Sequence, residues 1–321
     1  MNDIVEDCYN PMFSEHGFLP VTENHQYGQM GSCLKLSEKI GAGFYWIYGQ
    51  KDLFDIKIHD FFFHEDSFME FKIPECLSIT HYESISGEEL SPYRRLNAGC
   101  VKSYMGGYEP YKVLIHKKIP IRCVGIEVMP AYYENHLRNQ YPGEYANPRE
   151  AFCQVGQTMD FPEMVHLLSQ VKNYRGEGIA AKLFYEGKVA EAISLVLARK
   201  REKKPESSAS LSRQDTRQIE IVNAYLNDHY AYDVPLDRLA KIACMGTTKL
   251  KSTFRQYHGC TITEYIQNRR MGQAEHLLSD TDLTIGQVAQ AVGYASAGRF
   301  AELFCKSTGL LPREYRKMAR R

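Results

Sequence analysis

Apolar and polar residues alternate along the early part of the chain and give way to helical spacing after residue 130. Phe54-Asp55-Ile56-Lys57-Ile58-His59 alternates strictly and Leu77-Ser78-Ile79-Thr80-His81-Tyr82 largely so, the period of a strand with one buried face. Phe44-Tyr45-Trp46-Ile47-Tyr48 and the run from Arg122 to Val128 join them, with Gly49, Pro74, Gly87, Pro92, Gly99, Pro110 and Pro120 as punctuation. Short strands between tight turns predict a small sandwich or barrel over about 43–128. Beyond Pro130 the spacing predicts helices at Ala131–Gln140, Pro162–Tyr174 and Ile179–Leu197. In the last of these, Ile179, Leu183, Glu186, Ala190, Ile193 and Leu197 form a heptad seam with one polar break. Phe184, Val189, Ala192 and Val196 are apolar outside that seam, so the helix asks for two neighbours, its own domain and a partner chain. Gly187, which costs up to about 1 kcal/mol relative to Ala in a helix interior, marks a place for a break. Arg199 to Asp215 is charged, then small and polar, and reads as a linker.

From Pro235 the chain states one pattern twice. Leu239-Ala240, Leu250, Phe254, Gly259 and Glu264-Tyr265 are answered by Val288-Ala289, Phe300, Phe304, Gly309 and Glu314-Tyr315, at an offset of 49 and then a constant 50. Such a recurrence predicts two copies of one helical unit. In the first, Leu236, Leu239, Ala240 and Ala243 form an apolar stripe and Cys244-Met245-Gly246 makes a turn. Thr247 is then placed to cap a helix that turns Leu250, Phe254 and Tyr257 inward. In the second, Thr284 and Gln287 form a capping-box pattern, Gly293 ends the first helix, and Ser296 can cap the next. Gly259 and Gly309 suit C-terminal caps. Between the copies, Thr261-x-x-Glu264 opens a helix of roughly 17 residues, about 25 Å long. Two short helices on such a strut can enter successive major-groove turns, about 34 Å apart, on one face of DNA.

These residues resemble the DNA-binding domain of the AraC/XylS family of bacterial transcription regulators. The likeness runs through Arg269-Arg270-Met271, Ala274, Leu278, Ile285-x-x-Val288-Ala289, Gly293-Tyr294, Phe300, Phe304, Gly309, Pro312 and Tyr315-Arg316, about the last hundred residues. The resemblance implies an α+β protein: an N-terminal cupin-like β-barrel sensor domain with flanking helices, and a C-terminal all-α domain with two helix-turn-helix units. The boundaries expected are 1–200 for sensing and dimerisation, 201–216 for the linker and 217–321 for DNA binding. It further implies a sequence-specific regulator, an activator governed by a small-molecule effector, whose partners are double-stranded DNA, a second copy of the chain and RNA polymerase.

On the first recognition helix Thr247, Thr248, Lys249, Lys251, Ser252 and Arg255 project outward. The resemblance carries base-edge reading onto Thr248, Lys251 and Ser252, while Lys249 and Arg255 suit phosphate. The second helix departs from the family's habit. It offers Ala297 and Gly298 where polar residues are common, with Ser296 as a phosphate clamp and Arg299 and Glu302 as polar candidates. This half is expected to position more than it specifies.

The net charge of zero hides an asymmetry. From Arg213 to the end there are 16 Lys+Arg against 11 Asp+Glu, an excess of +5 that leaves −5 before it. Positive charge thus gathers in the half expected to meet phosphate. Nine scattered cysteines without Cys-x-x-Cys point to reduced thiols and no zinc ribbon. No secretory signal and no run of 18 apolar residues is present, so a cytoplasmic protein off the membrane is expected.

In the first domain, histidines 59, 64, 81 and 116 lack the His-x-His and downstream carboxylate of a catalytic cupin. No phosphate loop, Gly-x-Ser-x-Gly or dinucleotide fingerprint occurs, so no catalytic residue, metal or cofactor is assigned. The aromatic strands suit either plain core or a pocket for a flat ligand, with Trp46, Tyr48, Tyr82, Tyr93, Arg94 and Arg95 as effector-binding candidates. Ile179, Leu183, Ala190, Ile193 and Leu197 are the dimerisation candidates. The rival readings are a cupin-type enzyme with a DNA-binding appendage and a regulator governed by a protein partner.

Overall fold

The computed structural model describes residues 5, 9–21, 26–28, 30–90, 93–107, 110–202 and 211–320. Their contacts divide the chain into two units, Met1–Ser86 with Ala98–Lys204, and Gly87–Asn97 with Pro205–Arg321. Half of the linker expected at 201–216, residues 203–210, lies outside the described residues.

The first unit is strand-rich. After α1 (Asn10–Glu15) come β1 (Phe18–Val21), β2 (Ser32–Leu36), β3 (Gly41–Gln50), β4 (Phe54–Phe63), β5 (Ser67–Phe71) and β6 (Leu77–Ser84). The chain then makes the hairpin β7 (Gly87–Leu90) and β8 (Tyr93–Leu96), which belongs to the second unit. It returns as β9 (Cys100–Met105), β10 (Tyr111–Ile115) and β11 (Ile121–Val128). A π-helical turn (Ala131–His136) runs into α2 (Leu137–Gln140), followed by α3 (Arg149–Val155), β12 (Gln157–Thr158), α4 (Pro162–Asn173) and α5 (Gly178–Glu202).

Eight strands form one antiparallel sheet in the order β1-β2-β3-β4-β11-β6-β9-β12. Residue parity sorts its two faces, because successive side chains on a strand point to opposite sides. Trp46, Tyr48, Phe54, Ile56, Ile58, Ile79, Val124 and Ile126 face one way. They pack with Leu167, Leu168 and Val171 of α4 and Tyr185, Val189 and Val196 of α5. Each such side chain contributes about 1.5–3 kcal/mol by leaving water. The other face carries Tyr45, Lys57, His59, Thr80, Tyr82, Cys123 and Glu127.

Among the described strands the expected barrel is not closed. β1 and β12 are the two ends of an open sheet. Alternation fixes which face packs, whereas closure needs the edge strands to meet at a set tilt and stagger.

α5 runs unbroken through Gly187. Its buried stripe is Ala181, Tyr185, Val189, Ala192 and Val196 rather than the heptad seam. The seam divides: Ile179 and Leu183 are 70% and 61% exposed and Ala190 is exposed, while Ile193 is in the core and Leu197 packs beside it.

The second unit holds α6 (Arg213–His229), α7 (Leu236–Ile242), α8 (Thr247–His258), α9 (Ile262–Asp280), α10 (Ile285–Ala291), α11 (Ala297–Thr308) and α12 (Pro312–Ala319). α7–α8 and α10–α11 are the two copies. Their likeness extends to ring geometry: Phe254 meets Tyr265 edge-on at 5.4 Å and 89°, and Phe304 meets Tyr315 at 5.3 Å and 86°. Gly259 and Gly309 cap α8 and α11 at φ 69° and 77°, the left-handed region that glycine enters without strain. Thr261–Glu264 and Thr284–Gln287 close full capping boxes. Thr247 does not cap α8: Gly246 holds that position and Thr247 is the first helical residue.

α9, at 19 residues, is about 28 Å long and is the strut between the copies. Arg270 on it donates to the carbonyls of Tyr230, Tyr232 and Gly293, tying the first copy's entry loop to the second copy's turn. The β7–β8 hairpin packs on the same strut. The Arg95 Nη2 donates to the Glu275 Oε1 at 2.6 Å, both side chains being fully buried. Tyr93 meets Tyr265 edge-on at 5.6 Å, and the Arg269 guanidinium lies 4.5 Å from the Tyr93 ring. Gly272 leaves room for this approach, since a Cβ there would lie 2.1 Å from the Glu88 carboxylate.

Candidate nucleic-acid interface and enclosed cavity

α8 turns Leu250 and Phe254 into a core with Ile219, Val222, Leu226, Leu239 and Tyr265. That rotation leaves Thr248, Lys249, Lys251, Ser252 and Arg255 on the exposed face, with Thr247 half-buried. Lys249 forms a 2.7 Å ion pair with Asp215 at the start of α6, and the Ser252 hydroxyl donates back to the Lys249 carbonyl at 2.9 Å. The helix carries Lys249, Lys251 and Arg255 and no acidic residue.

α11 is built on the same plan and ends with a different face. Ser296, Ala297, Gly298, Arg299 and Glu302 are exposed as expected, and the Ser296 hydroxyl accepts from the Arg299 N–H. Arg299 and Glu302 pair with each other at 2.8 Å, so much of the arginine's charge is answered on its own helix. At the offset of 50, Thr248, Lys251 and Ser252 correspond to Gly298, Ala301 and Glu302. The second copy therefore retains the scaffold while offering few donors to a base edge.

One basic surface was not singled out from sequence. Arg313, Arg316, Lys317 and Arg320 of α12 and its end border an open hollow of about 610 Å³ beside Thr284 and Ile285. The signal was present in Pro312-Arg313-Glu314-Tyr315-Arg316-Lys317, whose cations recur at helical spacing.

In the first unit a cavity of about 130 Å³ opens on the polar face of the large sheet. Tyr9, Met12 and Phe13 border it from α1 and its approach, and Lys57, His59, Thr80, Tyr82, Lys102, Tyr104, Tyr111 and Glu127 line it from the strands. The Lys57 ammonium is 2.5 Å from Glu127 and 3.7 Å from Asp55. Burial, then proximity to Lys57, pushes His59 down to about 3 and keeps its ring neutral, and burial holds the Asp55 carboxyl well above the usual range. Of the six effector candidates, Tyr82 lines this cavity. Trp46 and Tyr48 have even parity on β3 and face α5, where Tyr48 lies 4.7 Å from the Tyr185 ring. Tyr93, Arg94 and Arg95 belong to the hairpin of the second unit. Lys57 and Lys102 are absent from the candidates read from sequence, because polar residues in a strand read as the solvated side, and His59 is weighed there only as a metal ligand.

Two helical copies on a strut, with cations gathered on one exposed reading helix, define a tandem helix-turn-helix DNA-binding domain. Residues 239–318 match the helix-turn-helix domain family. The chain is 32% identical over 106 residues to the bifunctional transcriptional activator/DNA repair enzyme AdaA of Bacillus subtilis, covering 33% of this chain and 50% of that protein. It is 32% identical over 93 residues to the arabinose operon regulatory protein of Escherichia coli, covering 29% and 32%. The solved DNA-binding domain of AdpA, in complex with a target DNA, aligns at 25% identity and TM-score 0.31 over 32% of this chain and 93% of that one. The C-terminal segment is a helix-turn-helix domain similar to part of each of these proteins. The chain spans half or less of the length of these curated relatives. No helix among the described residues is long and apolar enough to cross a membrane.

Proposed function

We propose that the whole chain is a sequence-specific transcription regulator, an activator, whose DNA affinity responds to a small molecule held in the first unit. The observation that carries this is the exposed face of α8. Three cations and two hydroxyls stand on a helix whose opposite face is locked into a core. In this reading Lys251 donates to a base edge with Thr248 and Ser252 beside it, and Lys249, Arg255, Ser296 and Arg299 hold phosphate. Ala297 and Gly298 lie against the groove, and Glu302 restrains Arg299. The effector site is the cavity on the polar face of the sheet.

Chain connectivity supports a link between sensing and binding. β6 and β9 carry the cavity residues Ser78, Thr80, Tyr82, Lys102 and Tyr104, and the loop joining these two strands is the hairpin packed on α9. Dimerisation through the exposed start of α5 and contact with RNA polymerase complete the proposal.

Selection of fragments of the source genome by the full chain tests it. Retained fragments should share a motif, and log affinity should fall with log salt at a slope of about −0.9 per phosphate neutralised. Retention without a shared motif would reject sequence-specific regulation.

A further inference from the structure

The cavity's chemistry narrows what it can hold. Its wall is aromatic on several sides, with Tyr9, Phe13, Tyr45, Tyr82, Tyr104 and Tyr111 contributing rings. Among the described lining residues the carboxylate is Glu127, and Lys57 is ion-paired to it. Lys102 adds a second ammonium, buried to 4% exposure, 5.8 Å from the Tyr104 ring and 5.5 Å from the Tyr111 ring. Those two rings meet edge-on at 5.2 Å, which fixes the frame around the cation. Tyr45, 1% exposed, also lines the cavity, and its hydroxyl finds no hydrogen-bonding partner among the described residues. A buried hydroxyl in that state costs free energy that a ligand's polar group would recover.

Size sets a further bound. Taking about 10–15 Å³ of such volume per water-sized group, the cavity has room for roughly ten non-hydrogen atoms. That excludes a disaccharide, a nucleotide or a long acyl chain as an enclosed ligand.

We propose that this cavity binds a small, flat monocarboxylate with a second polar group, its carboxylate held by the Lys102 ammonium, its body between the tyrosine rings and its polar group at the Tyr45 hydroxyl. The proposal rests on the effector reading above and specifies its ligand class. Burial pushes Lys102 down to about 7, so a carboxylate arriving beside it restores the charged form. A neutral ligand of the same shape gains nothing there.

The test uses the full chain and two probes of matched shape, 4-hydroxybenzoate and 4-hydroxybenzamide, by titration calorimetry. The acid should bind at least tenfold more tightly than the amide. Lys102→Met, which keeps most of the volume, should erase that preference, while Lys102→Arg should keep part of it. If Lys102→Met does not fold, the acid-to-amide ratio of the unaltered chain decides alone. Equal binding of acid and amide, or a preference that survives Lys102→Met, overturns the assignment. If neither probe binds but a neutral compound such as glycerol or erythritol shifts the melting of the first unit, the carboxylate class fails and the effector reading stands. If no compound of either kind binds, both fail.

Discussion

Replacing Arg95 with Met removes the cation from a pair whose side chains are 0% and 1% exposed and whose charged atoms are 2.6 Å apart. Met occupies most of the space of the arginine stem, so the change is chiefly one of charge. Glu275 then keeps a buried carboxylate without the guanidinium. Breaking one partner of a buried pair costs about 3–5 kcal/mol, whereas replacing both with apolar residues of similar volume is often neutral or stabilising by about 1–4 kcal/mol. The second unit has roughly 130 residues. At ~2.1 cal/mol/K per residue its unfolding entropy is ~0.27 kcal/mol/K, so the single variant should melt about 11–19 °C lower. Arg95→Met with Glu275→Leu should regain most of that loss. Calorimetry of the full chain can follow the units as separate transitions, and the first unit's transition should stay in place. A shift under about 3 °C for the single variant, or a double variant no better than the single, would refute the placement of this hairpin in the helical unit's core. The same reasoning predicts that the segment Arg213–Arg321, expressed without Gly87–Asn97, is less stable than the unit within the full chain and is rescued by Glu275→Leu.

Lys251→Ala should cost about 1–3 kcal/mol of operator binding and relax preference at one base position, while Arg299→Ala should weaken all sequences alike, as gel competition with single-base operator variants will show. Glu at both Ile179 and Leu183, which are exposed in the single chain, should convert a dimer to a folded monomer; sedimentation that still shows a dimer rules this surface out. The His258 Nε2–H donates to the Asn223 Oδ1 at 2.7 Å, and burial followed by the nearby Arg94 pushes the histidine down to about 4. An unfolded histidine titrates near 6.5, so between about pH 6.5 and 4 the unfolded chain takes up a proton that the folded chain refuses. Stability of the second unit should therefore fall as pH drops through that window and be unaffected above it, and His258→Gln should flatten the slope of urea midpoint against pH.

The tandem domain was readable because its signals are local and stated twice. Phe254, Gly259 and Tyr265 recur as Phe304, Gly309 and Tyr315, and each does the same physical work in its copy: ring packing, a left-handed cap and closure on the next helix. A register fixed by the 50-residue offset left little freedom for error, and the one local slip, Thr247 taken for Gly246 as the cap, moved a boundary by one residue. α5 was harder. Ile179, Leu183, Ala190, Ile193 and Leu197 fit a seam at 3.5 residues per step, yet the buried stripe Ala181, Tyr185, Val189, Ala192, Val196 fits helical spacing equally well. Only the facing sheet chooses between them.

The cavity and the hairpin were hidden for a different reason. Alternation in Phe54-Asp55-Ile56-Lys57-Ile58-His59 says that two faces differ, and the cheapest reading gives the polar face to water. Here that face is covered as well. Asp55, Lys57 and Glu127 are buried together and compensate one another, so a pattern that looks solvated encloses a cavity with its own charges. A buried charge needs its partner, and the partner comes from a strand some seventy residues away. The hairpin repeats the lesson across a longer span, for Arg95 meets Glu275 at a separation of 180 residues. In both cases the buried polar residues take their meaning from long-range pairing. Such pairings leave no periodicity for a single sequence to display, which is why the exposed face of α8 emerged from the pattern and the cavity-lining face of the sheet had to be found in three dimensions.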